Sequence, residues 1–427
     1  MKDSTFQLPI EYCKHKKDIV PHIKDDLECT EKNNMYDRIF LANNVLAKKL
    51  SLRWNKYYTT NKLFLTQSQH LYKDVKLTKP SNEILEYHKD FNTFADLDKD
   101  IFIEKYQYIE FSYIRFLNNH SKVMQILSIN NLLSPVLTVL VPFIILFIPF
   151  LIIKLQKKNL SISTYISLLK QCFSRLPIGK VFCQHTGKLT FDKQLSIVGS
   201  VVFYVLQIYQ NYLSCYRFYK NLYFINTFLH KTSKFIDESV KNIDKYIYTS
   251  TNLTTYTSFN NTLTKHKQTL CELYTKISHI KHFKLTPKNI SNIGYSMKYF
   301  YLLFTNESVQ ESIRYLFDFN GYVDNIIGLQ ARIKEKAINM CKFNEKKTTL
   351  KDSYYIALPY ATCKKNNINI SKNILITGPN AAGKTTLLKS TLFNILTSQQ
   401  IGYGCYKSAN IHMYDYFHCY VNIPDTS

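Results

Sequence analysis

The chain has 427 residues, with 55 Lys and Arg against 31 Asp and Glu, a formal charge of +24 and a pI near 9.4. That length exceeds one ordinary domain and can bury a substantial core, and the charge points to polyanionic partners, either nucleic acid or an acidic membrane surface. The ten cysteines form no C-x-x-C pair and no zinc spacing, which argues against a zinc knuckle or a disulfide scaffold and for reduced cytosolic thiols. Met1–Pro9 has no apolar core, so no cleavable signal peptide is expected.

Residues 1–131 read as an N-terminal helical region, with Ile39, Phe40, Leu46, Leu50 and Leu52 at helical spacing around Trp54. Asp98–Ser121 is predicted as a long helix whose apolar side carries Ile101, Tyr108, Phe111, Ile114 and Phe116.

Residues 132–216 are set apart by hydropathy. Leu132–Ile153 holds no charge over 22 residues, enough to cross the hydrocarbon core of a bilayer. Pro135, Pro142 and Pro149 argue against a straight helix there. A weaker apolar stretch, Leu195–Leu213, is broken by Gln207, Gln210 and Asn211. Between them lie Lys154, Lys157, Lys158, Lys170, Arg175, Lys180, Lys188 and Lys193 against Asp192 alone. Positive loops of this kind stay on the cytoplasmic side, so a kinked segment within one leaflet or an interfacial helix pair is expected. The competing reading is a helical pair buried in protein.

Residues 217–345 are predicted as long helices forming a lever or clamp. Phe218–Tyr248 is periodic, Thr249–Thr264 is a Thr- and Asn-rich interruption, Asn320-Gly321 marks a turn, and Tyr322–Met340 returns to helix. A basic stripe, Lys265, Lys267, Lys276, Lys281, Lys284 and Lys288, is interleaved with Tyr274, His279, His282 and Phe283. It could follow DNA phosphates without reading sequence; a solvated lysine face is the plain alternative.

In residues 346–427, Tyr354–Leu358 and Asn367–Ile370 look like strands leading to a short buried strand, Asn373–Thr377. Gly378-Pro379-Asn380-Ala381-Ala382-Gly383-Lys384-Thr385 then fits G-x-x-x-x-G-K-[ST], followed by Thr386 and a helix carrying Leu387, Leu388, Leu392, Ile395 and Leu396. The two glycines let backbone N–H groups approach phosphate oxygens, and the helix start adds its positive dipole end. In this pattern Lys384 reaches the β- and γ-phosphates of ATP and the Thr385 hydroxyl coordinates Mg²⁺.

Thr377-Gly378-Pro379-Asn380, the small pair and Gly-Lys-Thr resemble the MutS family of DNA mismatch-repair ATPases. So does Gln400-Ile401-Gly402-Tyr403-Gly404-Cys405-Tyr406-Lys407-Ser408-Ala409, and more weakly Val323-Asp324-Asn325-Ile326-Ile327. The strong resemblance covers about the last seventy residues, and with the hydrophobic insertion it is greatest to divergent members from large DNA viruses and some microbes. It implies a mainly α fold of lever-like helices with a C-terminal α/β phosphate-loop domain, ATP and Mg²⁺ as cofactors, and DNA as partner. The family's Gly-x-Phe-Tyr-Glu mismatch wedge, its signature motif and its apolar strand ending in Asp-Glu have no counterpart here. The chain therefore reads as an incomplete ATPase domain that binds nucleotide without hydrolysing it alone, and that needs a dimeric head partner or a missing C-terminal half. The runner-up readings are a membrane-associated ATPase of ABC type, whose heads carry a similar Gly-Pro-Asn loop, and a membrane scaffold with a vestigial ATP site.

Overall fold

The computed structural model describes residues 5–30, 34–155, 162–175, 191–358, 363–379 and 381–421. The chain is mainly helical with two small sheets, and divides into two compact units that interleave along the sequence. Unit 1 takes Met1–Asp96, Lys231–His279 and Asn306–Ser427; unit 2 takes Leu97–His230 and Ile280–Thr305.

The central element of unit 1 is the 28-residue helix Glu307–Lys334. It runs straight through Asn320-Gly321, where a turn was expected. Asn320 is held inside the helix because its amide donates to Ser239 Oγ at 2.7 Å and to the Leu316 carbonyl at 2.8 Å. Gly321 is there for proximity: a Cβ would lie 2.6 Å from the Leu46 carbonyl oxygen of the helix Val45–Arg53. The predicted apolar positions Ile39, Phe40, Leu46 and Leu50 are buried with Trp54, which stacks on Phe40 at 5.4 Å. The buried Asp318 carboxylate pairs with Lys49 at 2.8 Å and Arg53 at 3.2 Å, tying the same two helices together.

Strands β1 (Lys16–Asp18) and β2 (Tyr57–Thr59) form an antiparallel pair. A five-stranded sheet holds β3 (Asn339–Asn344), β4 (Thr348–Ser353), β5 (Asn366–Ile370), β6 (Tyr403–Gly404) and β7 (Ser408–His412) in the order β5-β4-β7-β3-β6. Only β3 and β7 run parallel, with Cys341 opposite Ala409. The alternation of strands shows on the sheet: Cys341, Leu350, Ala409 and Ile411 are buried, while Lys342, Lys351 and Asn410 are exposed. Thus β5 was legible, but Tyr354–Leu358 is not a strand. Tyr354 and Tyr355 leave the sheet because their hydroxyls donate elsewhere, to the Ala337 carbonyl at 2.9 Å and to Glu28 at 3.2 Å.

The largest departure concerns Asn373–Thr377. It belongs to no strand, and Ile374 and Leu375 are 54% and 88% exposed. Its apolar pattern is that of a strand, yet no strand of the described sheets offers it a ladder of backbone partners.

Unit 2 contains the second departure. The helix predicted over Asp98–Ser121 stops at Tyr106, because Gln107 turns left-handed (φ 57°), and a 3-10 stretch follows at Ser112–Asn119. Asn118 closes the intervening loop by bonding both the N–H and the carbonyl of Ile109, at 3.0 and 3.1 Å. The helix accordingly buries Phe102, Ile103 and Tyr106, with Phe102 stacked on Phe304 at 3.7 Å, and leaves Ile101, Phe111, Ile114 and Phe116 exposed.

The helix Phe191–Ser250 has 60 residues and contributes to both units. Phe218, Leu222, Ile225, Leu229, Thr232, Ile236, Ser239, Ile243, Tyr246 and Ser250 are each 0% exposed and follow a strict 4-3 spacing. This is the heptad seam of a helix packed from Phe218 to Ser250. The interruption expected over Thr249–Thr264 is shorter than that, because a new helix, Thr257–Ile277, starts after a 3-10 turn at Thr254–Tyr256. Among the described residues no disulfide joins two cysteines, and burial pushes the Cys29, Cys341 and Cys405 thiols up to about 12, which keeps them protonated and inert.

Candidate functional site

The glycine-rich loop opens the 18-residue helix Lys384–Ile401, whose second half is fixed more firmly than its first. Asn394 is fully buried; its amide donates to Ser353 Oγ and the Tyr354 carbonyl, each at 3.1 Å, and its oxygen accepts from the Cys405 N–H at 2.7 Å. Gln400 donates to the Trp54 and Tyr57 carbonyls at 2.6 and 2.8 Å and accepts from the Tyr36 hydroxyl at 2.9 Å. Gly402 ends the helix in a left-handed conformation (φ 78°), where a Cβ would strike Gln69 Cγ at 2.4 Å. Gln69 in turn donates to the Gly402 and Cys341 carbonyls at 2.7 and 2.9 Å. The segment Gln400–Ala409 is therefore a junction joining the helix end, β6, β7 and the N-terminal helices. Gln69→Ala would remove one donor from each carbonyl, Gly402 keeping the Cys341 N–H at 3.2 Å, and should cost about 1–3 kcal/mol, measurable as a lower urea midpoint.

The loop itself is open. Gly378, Ala381, Ala382, Gly383, Thr385 and Thr386 are exposed, and Asn380 lies outside the described residues. Ala381 (φ 61°) and Gly383 (φ 86°) are both left-handed, with open space where a Gly383 Cβ would stand. The Lys384 ammonium folds back to donate to the Gly378 and Pro379 carbonyls, the latter at 3.0 Å. A cation held by loop carbonyls at the start of a helix can exchange those weak acceptors for an anion.

Beside the loop is a cavity of about 340 Å³. Its lining includes Gly383 and Lys384 together with Tyr355, Leu358, Lys364 and Asn366. None of these last four was singled out by motif; Tyr355 and Leu358 were hidden in a segment read as strand, and no short spacing links them to the loop. Tyr355 is positioned by Glu28, whose other carboxylate oxygen accepts from Lys389 at 2.9 Å. That contact latches the helix behind the loop to the N-terminal segment. The Lys389 hydrogen bond holds the Glu28 carboxyl below its usual 4.5, against the opposing pull of burial. A depressed carboxyl contributes its stability above the ordinary value and loses it as pH falls through the lower folded one, so this latch survives mild acid. An NMR titration of Glu28 should show a midpoint below 4.5 that returns toward 4.5 in Lys389→Ala.

The six stripe lysines do not form one surface by sequence alone. Lys265, Lys267 and Lys276 belong to unit 1, and Lys281, Lys284 and Lys288 to unit 2. Lys265, Lys276, Lys281, Lys284 and Lys288 are exposed, whereas Lys267 is half-buried and ion-paired with Asp244. The interleaved rings are partly committed: Phe283 is buried against Tyr219, and His282 lies 4.9 Å from His230. Among the described residues no cluster of three His, Cys, Asp or Glu side chains could hold a metal ion. No family model matches this chain, and no curated protein matches it.

Proposed function

We propose that the chain is a MutS-like ATP-binding protein that acts on DNA, with its C-terminal residues forming a phosphate-loop α/β domain. The observation that carries the reading is the placement of Lys384: its ammonium, the left-handed Ala381–Gly383 turn and the helix start converge beside a cavity of about 340 Å³. Gly378–Thr386 would cradle the phosphates, Lys384 would bind the β- and γ-phosphates, and Thr385 would offer its hydroxyl to Mg²⁺. Tyr355 and Leu358 supply an apolar wall for the base, and Lys364 and Asn366 supply polar groups for the ribose side. Bound Mg²⁺ would neutralise phosphate charge, with Thr385 as its one protein ligand among the described residues. Among the described residues none of the lining side chains is an acid that could deprotonate a water. The domain is therefore a nucleotide binder whose turnover requires a carboxylate from a partner.

Calorimetric titration with MgATP tests this. Binding should be displaced by inorganic tripolyphosphate and hardly by adenosine; absence of binding, or turnover above background by the purified chain, would overturn it. On the DNA side, exposed lysines bind phosphates by releasing counterions, at about 0.9 in salt slope for each contact. Lys265/Lys281/Lys284→Glu should lower the slope of log K against log salt by about 3 on duplex DNA of any sequence. An unchanged slope would remove these lysines from the DNA surface.

A further inference from the structure

We propose that the helical hairpin made by Ser121–Leu155 and the first part of Phe191–Ser250 is embedded in an anionic phospholipid bilayer. The two helices meet through polar groups. Asn211 donates to Thr138 Oγ1 at 2.7 Å, the Tyr204 hydroxyl donates to the Thr138 carbonyl at 3.2 Å, and the Cys215 thiol lies 3.3 Å from the Leu132 carbonyl. The residues facing away are apolar: Val136, Val139 and Leu140 on one helix, Val202, Phe203 and Leu206 on the other, each between 43% and 72% exposed. Water-soluble helices show the reverse arrangement.

The prolines sharpen the point. Pro135 and Pro142 lack the N–H groups that would bond the carbonyls four residues earlier, those of Asn131 and Thr138. The Asn131 carbonyl instead accepts from Ser134 Oγ at 3.0 Å, and the Thr138 carbonyl from Tyr204 of the neighbouring helix at 3.2 Å. Water would satisfy exposed carbonyls at no cost; internal donors are required in hydrocarbon.

Dimensions and charge name the occupant. The 22 uncharged residues 132–153 span about 33 Å as helix, close to the roughly 30 Å of a bilayer core. On the second helix Tyr209, Tyr212 and Tyr216 precede Arg217 and Lys220, and the Lys220 ammonium sits 4.6 Å from the Tyr216 ring, the composition of a headgroup boundary. Beyond Arg217 the seam residue Phe218 is 0% exposed, so the packed seam begins next to this boundary. Between the two helices the sequence carries six basic residues, Lys157, Lys158, Lys170, Arg175, Lys180 and Lys188, and no acid, a charge complementary to anionic headgroups.

The test is flotation of the full chain with vesicles of phosphatidylcholine and phosphatidylglycerol. The chain should float, remain bound after washing with high salt, and be recovered less with phosphatidylcholine alone. Val202→Asp with Leu206→Asp should cut recovery at least about tenfold while helical content is kept. Independently, Phe203→Trp fluorescence should be quenched by lipids brominated on their acyl chains. A chain that stays monodisperse without detergent, as monomer, dimer or protein complex, would overturn the proposal. So would binding abolished by salt, or a Phe203→Trp signal indifferent to the bromine.

Discussion

Lys384→Ala is expected to weaken the binding of MgATP and of inorganic tripolyphosphate alike, by about 100-fold or more. The estimate follows from charge-assisted hydrogen bonds at about 1.5–3 kcal/mol each, two of which exceed a factor of 100. The same substitution should barely alter stability. Lys384 is only half-buried, and its present acceptors, the Gly378 and Pro379 carbonyls, lie in an open loop that water can serve equally well. Tyr355→Ala should behave differently: it removes the wall proposed for the base, so ATP affinity should fall while tripolyphosphate affinity stays. Loss of both ligands in Tyr355→Ala would place the phosphates elsewhere in the cavity; loss of neither in Lys384→Ala would dissociate the loop from nucleotide altogether.

The sequence made this site legible only in its local part. Spacing alone located the turn and the helix after it, because Gly378–Thr385 and Leu387–Leu396 obey rules that act over a few residues. It located β5 and the core around Trp54 for the same reason. It failed where a distant chain segment decided the outcome. Asn320-Gly321 has the composition of a turn, and stays helical because Ser239 and Leu46 are packed against it. Asn373–Thr377 has the composition of a strand, and is none because strand structure is completed by neighbours rather than by its own residues. Tyr355, Lys364 and Asn366 reach the cavity only through the fold, and Glu28, which holds Tyr355, is more than three hundred residues from it in sequence.

The same dependence on distant packing gives the second large effect, at Gly328. Two forces oppose each other there. In an exposed helix interior, Gly→Ala gains about 1 kcal/mol from helix propensity. In this helix a Cβ at Gly328 would lie 1.7 Å from the carbonyl oxygen and 2.5 Å from the carbonyl carbon of Phe40, both backbone atoms that no rotamer change can move. The helix Glu307–Lys334 would have to separate from Met35–Phe40. Overpacking of this kind costs about 1–3 kcal/mol in a deformable core, and a backbone clash belongs at the upper end, so Gly328→Ala should destabilise by about 2 kcal/mol net or more. Gly321→Ala, facing the Leu46 carbonyl at 2.6 Å, should cost less, and Gly199→Ala, with nothing within 4 Å, should be neutral or stabilising. Urea unfolding of the three variants side by side decides the matter: the order Gly328, Gly321, Gly199 from most to least harmful follows from packing, whereas three equal gains would follow from propensity alone.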